Sequence, residues 1–98
     1  MYITNLSHFL DRQGNIVKEM HKEGREMAGF LALIVDAATK EIEPQTMATI
    51  IRCHNKKCAG TIEIVVGSER DEIMWMCTHC DEAGKISGWQ KTRWDNRV

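Results

Sequence analysis

Hydrophobic positions between residues 17 and 38 recur at the spacing of an α-helix. Five apolar side chains lie three, four or seven residues apart and so share one helical face: Met20, Met27, Leu31, Ile34 and Ala38. Pro44 follows the pattern, and the residue before a proline disfavours helical backbone angles. The pattern predicts one long helix over about 17–38. In the alternative of two shorter helices, Gly24 is the expected break between them.

The second half of this predicted helix is apolar nearly all round, from Ala28 to Val35. Such a helix must be covered from several sides, by the rest of the chain or by another copy of it. We therefore predict a homodimer through the segment 27–38. Earlier in the chain, residues 2–7 suit either a short strand or an irregular lead-in, and Asp11–Asn15 has the composition of a turn.

Four segments with the composition of β-strands follow the helix: 47–52, 61–66, 72–76 and 84–90. The polar residues 67–71 separate the second segment from the third and predict a hairpin. In the last segment, Ile86 and Trp89 have opposite parity, so a flat strand would send them to opposite faces. A bulge at Gly88 would bring both to the same face.

Together these elements predict an α+β fold, in which one long N-terminal helix packs on a small antiparallel sheet of three to four strands. The length of 98 residues suggests a single domain, with residues 1–45 as its helical part and 46–98 as its β part. The hydrophobic fraction of 43% and charged fraction of 28% are typical of globular proteins.

The charges are almost balanced, with 13 basic and 14 acidic residues and a net charge of −1. The chain as a whole therefore has no general attraction for nucleic acid or for an acidic membrane surface. No apolar run reaches the length of a membrane span, and the N-terminal residues do not resemble an export signal. We expect a cytoplasmic protein without membrane contact, whose four cysteines stay reduced.

The cysteines form two pairs, Cys53-x4-Cys58 and Cys77-x2-Cys80, separated by 18 residues. Two thiolates in one tight turn can reach the same ion, and the predicted hairpin between the pairs has the length needed to bring both turns together. The strand pattern and the cysteine spacing therefore agree on one site for a single structural Zn²⁺ per chain.

This arrangement resembles a zinc ribbon, in which two cysteine-containing turns called knuckles are joined by a β-hairpin and followed by a further strand. The resemblance covers about residues 53–90. In this part, the chain looks like a small bacterial zinc-ribbon protein. The first knuckle departs from the usual pattern, because four residues rather than two separate its cysteines. A structural metal is implied, whereas no single function is, because ribbons occur in many roles.

Several alternatives to four-cysteine structural zinc stay open. They are unrelated buried thiols, a redox pair at Cys77 and Cys80, a catalytic zinc, an iron or iron–sulfur centre, and a mixed site that includes His54 or His79. The paired spacing argues against unrelated thiols, and no βαβ context supports a redox motif. Four available cysteines favour closed coordination over a catalytic zinc.

For function, the sequence offers no catalytic triad, phosphate-binding glycine loop or His-Glu-x-x-His motif, so we expect a non-enzymatic protein. One hypothesis is an adaptor that binds another protein. The alternative is a nucleic-acid-binding module of the transcription or translation type. Its candidate contacts lie in the first knuckle and in the C-terminal segment: Lys56, Lys57, Lys91, Arg93, Trp94 and Arg97. Trp89 is expected in the core instead.

Overall fold

The computed structural model of the protein describes residues 1–40, 46–66 and 72–96. One helix and five strands make up the fold, in the order β1 (Tyr2–Asn5), α1 (Lys22–Lys40), β2 (Thr46–Arg52), β3 (Thr61–Val66), β4 (Ile73–Cys77) and β5 (Ala83–Ser87). A 3₁₀ turn, Leu6–Phe9, follows β1. The sheet order is β1-β5-β4-β3-β2, with β1 parallel to β5 and every other pair antiparallel.

The predicted fold class is wrong in two respects. The helix lies in the middle of the chain rather than at its N-terminus, and the sheet is mixed and has five strands rather than three or four. Residues 2–5 account for the extra strand, since they pair with β5 from Tyr2↔Gly84 to Asn5↔Ser87. A parallel pair needs a long connection, and here nearly the whole chain supplies it.

The helix begins at Lys22, later than the predicted 17, because the preceding residues fold back on the 3₁₀ turn. Leu10 and Ile16 form an isolated antiparallel bridge, and the Val17 amide donates to the Phe9 carbonyl at 3.0 Å. The turn predicted at residues 11–15 is confirmed: the Asp11 carboxylate accepts from two backbone amides within it. Gly24 lies inside the continuous helix, so no division into two helices occurs there. The predicted helix end at Pro44 lies outside the described residues.

The hairpin strands agree closely with the sequence pattern, whereas the last strand does not. β3 and β4 pair from Ile62↔Cys77 to Val66↔Ile73, and the predicted turn at 67–71 lies outside the described residues. β5 ends at Ser87, and Gly88 has a φ of 64°, a left-handed conformation that glycine adopts readily. This turn, rather than a bulge within a longer strand, buries Ile86 and Trp89 together.

The core lies between α1 and one face of the sheet and draws side chains from both halves of the chain. The helix contributes residues that include Leu31, Ile34 and Val35, and the sheet contributes Ile62, Ile64, Ile73, Trp75 and Ile86. Each fully buried side chain of this size stabilises the fold by about 1.5–3 kcal/mol relative to exposure. Most of the apolar residues in the segment 27–38 are thus covered within one chain. Leu33 is the large hydrophobic residue of this segment that stays exposed. Self-association through this segment stays a prediction.

The opposite face of the sheet carries no helix in the described structure, and we call it the open face. Side chains alternate across a strand, so the residues between the buried ones point to this face. Three of them are large, apolar and solvent-accessible: Ile3 is 80% exposed, Ile50 94% and Met76 41%. Glu63 and Lys85 share the face, by the same alternation.

No helix in the described ranges is long and apolar enough to cross a membrane.

Candidate metal centre

The four cysteines converge at one end of the sheet because each follows or precedes a strand. Cys53 comes directly after β2, Cys58 shortly before β3, Cys77 at the end of β4, and Cys80 in the turn that leads to β5. Because neighbouring strands from β2 to β5 are antiparallel, these four strand ends lie at the same end of the sheet. Their sulfurs all lie within 4.8 Å of one another.

Two of the six sulfur–sulfur distances are close to those of a tetrahedral site. Cys53 Sγ lies 3.7 Å from Cys80 Sγ, and Cys58 Sγ lies 3.6 Å from Cys77 Sγ. A tetrahedron with zinc–sulfur bonds of 2.3 Å has edges of about 3.8 Å. A disulfide has a sulfur–sulfur distance of about 2.05 Å, so all four thiols are free. The donor set therefore fits a tetrahedral metal ion.

Asn55 explains how the first knuckle accommodates its wider spacing. Its side-chain Oδ1 accepts from the Lys57 amide at 3.0 Å, and its carbonyl accepts from the Cys58 amide at 2.9 Å. The Cys53 amide donates to the Gly60 carbonyl at 3.0 Å and closes the loop. An Asx turn thus takes up the two additional residues and still points both thiols inward.

Gly60 permits the two knuckles to approach each other, and the sequence analysis did not single it out. A Cβ at this position would lie 2.7 Å from both Cys77 Sγ and His79 Cβ. Its amide also donates to Cys58 Sγ at 3.3 Å. The sequence signal available for this residue was its place two positions after a candidate ligand, where a side chain would crowd the site.

The electrostatics of the four sulfurs favour a bound cation. Backbone N–H groups, first that of His79 and then that of Cys80, lower the pKa of the Cys77 thiol to about 6. The His79 amide lies 3.3 Å from that sulfur. Burial raises the pKa of the Cys53 thiol to about 12. Four adjacent thiolates repel one another, and a divalent cation among them removes that repulsion.

The histidines beside the cysteines each have a side-chain partner outside the sulfur cluster. His54 Nε2 lies 3.1 Å from Glu82 Oε2, and His79 Nδ1 lies 3.3 Å from the Thr78 hydroxyl. Among the residues that the structure describes, the four cysteines are the one group of three or more His, Cys, Asp or Glu side chains close enough to share an ion. The geometry therefore favours a four-cysteine site over a mixed one.

The chain was compared with protein-family models, curated proteins and solved structures, and none of the three comparisons finds a match. The resemblance to a zinc ribbon rests on the cysteine cluster and its strands alone.

The candidate nucleic-acid contacts fall into two separate groups. Lys56 Nζ lies 3.3 Å from Glu26 Oε2, in the first half of α1. The carbonyl of Trp94 lies 3.1 Å from the hydroxyl of Thr39, near the helix C-terminus. Thr39 lies thirteen positions after Glu26 in the helix, so these anchor points are roughly 20 Å apart along it.

Within the C-terminal group, the guanidinium of Arg93 lies over the Trp94 ring, 5.9 Å from its centroid. Lys91 lies in the same segment, and its amide donates to Asp95 Oδ2 at 3.0 Å. Trp89 is buried, as expected. Lys57 belongs with Lys56 in the first knuckle, and Arg97 lies outside the described residues. The described members of the two groups are thus anchored roughly 20 Å apart along α1.

Proposed function

We propose that this chain is a small non-enzymatic zinc-binding protein whose metal is structural, and that it acts in the cytoplasm as a protein-interaction adaptor. The observation that carries the metal assignment is the sulfur cluster, whose contacts of 3.6 and 3.7 Å match the edges of a zinc–thiolate tetrahedron. Four protein ligands complete that tetrahedron and leave no position for a substrate. Free thiols at these distances are consistent with a reducing compartment.

The adaptor role is supported by the open face of the sheet. Ile3, Ile50 and Met76 expose apolar side chains there, at the centre and both edges of a five-stranded sheet. The three lie on non-adjacent strands, so they offer separate apolar contact points across one face, and a protein partner that spans the sheet could bury all three together. Sheet geometry fixed by the core and the metal would hold these side chains in place before a partner binds.

Site-specific photo-crosslinking tests the adaptor role. A photo-crosslinking amino acid in place of Ile50 is expected to capture a defined protein in cells that produce the chain. The same amino acid in place of Glu19, an exposed position away from the open face, provides the control. We expect Met76→Lys to reduce the capture at position 50. Identical adducts from both positions, or none at position 50, would contradict the adaptor role.

The alternative, a nucleic-acid-binding module, has less support from the geometry. Its two groups of candidate residues lie roughly 20 Å apart along α1, and the Trp94 ring already has Arg93 against it. Labelled single-stranded DNA and RNA test it. Binding that weakens with salt and disappears in Arg93→Ala would support this alternative, and no binding at low salt would count against it.

A further inference from the structure

A cleft of about 610 Å³ lies beside the metal centre, between the first half of α1, the start of β1 and the first knuckle. Its volume is within the usual range for small-ligand sites. On α1, residues 23, 26, 27 and 30 have the spacing of one helical face. The side chains that line the cleft and carry the argument are Tyr2, Glu23, Glu26, Phe30, His54 and Glu82.

Aromatic rings form one wall of the cleft. The Tyr2 ring meets the His54 ring edge to face, with centroids 5.1 Å apart, and the Phe30 ring lies 5.2 Å from His54. Behind them, Trp75 packs edge to face against Phe30 at 5.0 Å. Phe30 is buried and held by the core, so this wall is preformed. Aromatic faces attract cations through their quadrupole.

The other walls of the cleft are acidic. Glu23, Glu26 and Glu82 line the cleft together with one lysine, Lys56, so three carboxylates stand against one ammonium group. Glu26 is paired with Lys56 at 3.3 Å, and Glu82 lies 3.1 Å from His54. Glu23 has no hydrogen-bond or ion-pair partner in the described part of the chain. This carboxylate is thus available to a ligand.

The three glutamates are not grouped closely enough for all of them to hold one metal ion. Among the described residues, the cysteines are the one group of three or more His, Cys, Asp or Glu side chains whose ligand atoms all lie within 4.8 Å of one another. A cation that reaches both separated carboxylates and an aromatic wall must be extended and partly apolar. A guanidinium or alkylammonium group on a carbon chain has this character.

We propose that this cleft binds an organic cation, a guanidinium or alkylammonium group, with its charge beside Glu23 and its carbon chain against Tyr2 and Phe30. The ligand is either a small polyamine-type molecule or an arginine or lysine side chain of a bound protein. The second case rests on the proposed adaptor role, whereas the first does not. The site is distinct from the open face and from the four sulfurs.

Calorimetric titration of the whole protein, at measured metal content, tests this assignment. The probes are agmatine, which is a small guanidinium amine, and the capped peptides Ala-Arg-Ala and Ala-citrulline-Ala. We expect agmatine or the arginine peptide to bind, and the neutral citrulline peptide to bind at least tenfold more weakly than the arginine peptide. Tighter binding of the arginine peptide identifies a protein side chain as the ligand, and tighter binding of agmatine identifies a small molecule.

Matched variants locate the binding site. Glu23→Gln and Tyr2→Leu are expected to weaken binding of the better probe at least fivefold, because one removes the available charge and the other an aromatic face. Glu63→Gln removes a carboxylate from the open face and is expected to leave binding unchanged. Melting curves of each variant confirm folding.

The inference is overturned if neither cationic probe binds, if citrulline binds as well as arginine, or if Glu63→Gln weakens binding as much as Glu23→Gln. Metal content distinguishes this failure from that of the proposed function. Protein that holds one zinc and binds no cation removes the cleft assignment alone, whereas folded metal-free protein that binds agmatine removes the metal assignment alone.

Discussion

Gly60 shows how much of the metal centre depends on one small residue. The two knuckles meet at its Cα, where a methyl group would lie 2.7 Å from Cys77 Sγ. Cysteine spacing predicted the grouping of four cysteines that the structure shows, because each cysteine pair is local in sequence. The glycine contact joins positions 60 and 77, which only the folded hairpin brings together, so the place of Gly60 two positions after Cys58 was its one signal in the sequence.

Gly60→Ala is therefore expected to lower zinc affinity by about 10- to 100-fold, the usual effect of disturbing residues that orient metal ligands. Competition with a chromophoric chelator measures this affinity. Gly29→Ala is the matched control, since a Cβ at that helical position meets nothing within 4 Å. Equal affinities of Gly60→Ala and the unaltered protein would show that the close approach does not matter.

Asp36 reports how the C-terminal segment is attached to the helix. Hydrogen bonding from Asn96 and from Lys40 lowers the pKa of its carboxyl group, and Asn96 Nδ2 lies 3.0 Å from Asp36 Oδ1. A lowered pKa in the folded state means that the ionised carboxylate stabilises the fold at neutral pH. That contribution is lost as the pH falls through the pKa of the folded state.

In Asn96→Ala, the pKa of Asp36 is expected to rise toward its ordinary value, as measured by NMR titration of the carboxyl carbon. The free energy of unfolding should fall by about 1–2 kcal/mol at neutral pH, with a smaller difference from the unaltered protein in acid. Lys22→Ala removes an unrelated ion pair to Glu26 and should leave the Asp36 pKa unchanged. An unaltered Asp36 pKa in Asn96→Ala would exclude the proposed attachment.

At the scale of elements, the sequence predicts what is local and misses what is distant. The β3–β4 hairpin follows from alternating β-branched residues and a polar turn, and its strands match within about one residue. β1 pairs with β5 across some 80 residues, as in Ile3↔Lys85, so the local pattern, which suits either a short strand or an irregular lead-in at residues 2–7, did not decide between the two. The start of α1 was misplaced because residues before Lys22 pack on the 3₁₀ turn instead of continuing the helix.

The end of β5 depends on a glycine that the sequence pattern assigned to a bulge. Gly88 has a φ of 64°, and a Cβ there would overlap the side chain of Asn5. That side chain accepts from the Ser7 amide at 2.9 Å and caps the 3₁₀ turn after β1. The contact therefore couples the two ends of the chain.

Gly88→Ala is expected to lower the free energy of unfolding by about 2–3 kcal/mol, from backbone strain and the overlap with Asn5 together. Gly14→Ala separates the two effects, because Gly14 has a φ of 82° but no atom near its Cβ position. Gly14→Ala should lower the free energy of unfolding by about 1 kcal/mol. Denaturant unfolding measures this free energy for both variants. Equal costs would show that the Asn5 contact contributes nothing.

For the whole molecule, the cysteine cluster and the hydrophobic core lie at two different parts of the same sheet. The core fixes the sheet against α1, and the cysteines join the ends of β2, β3, β4 and β5 at one edge. The cleft next to this edge was not predictable from sequence, because its lining comes from β1, α1 and both knuckles. Only the folded molecule brings Tyr2, Glu23 and Glu82 together.

Removal of the metal is expected to unfold the sheet rather than the knuckles alone. Structural zinc binding contributes about 10–16 kcal/mol in small domains, which exceeds the total stability of about 5–15 kcal/mol typical of a folded protein. Circular dichroism after chelation under reducing conditions should show loss of strand signal and a lower melting temperature, both restored by added zinc. An unchanged melting curve after complete chelation would contradict a structural role.

Native mass spectrometry of the untagged protein tests the central claim most directly, because it counts metal ions and chains in the same spectrum. We predict one zinc ion per chain, with all four cysteines reduced and bound. Iron at the same stoichiometry would keep the four-sulfur site and change its metal. A folded chain with reduced cysteines and no metal would contradict the account, and the four thiols would then be ordinary side chains at the end of the sheet.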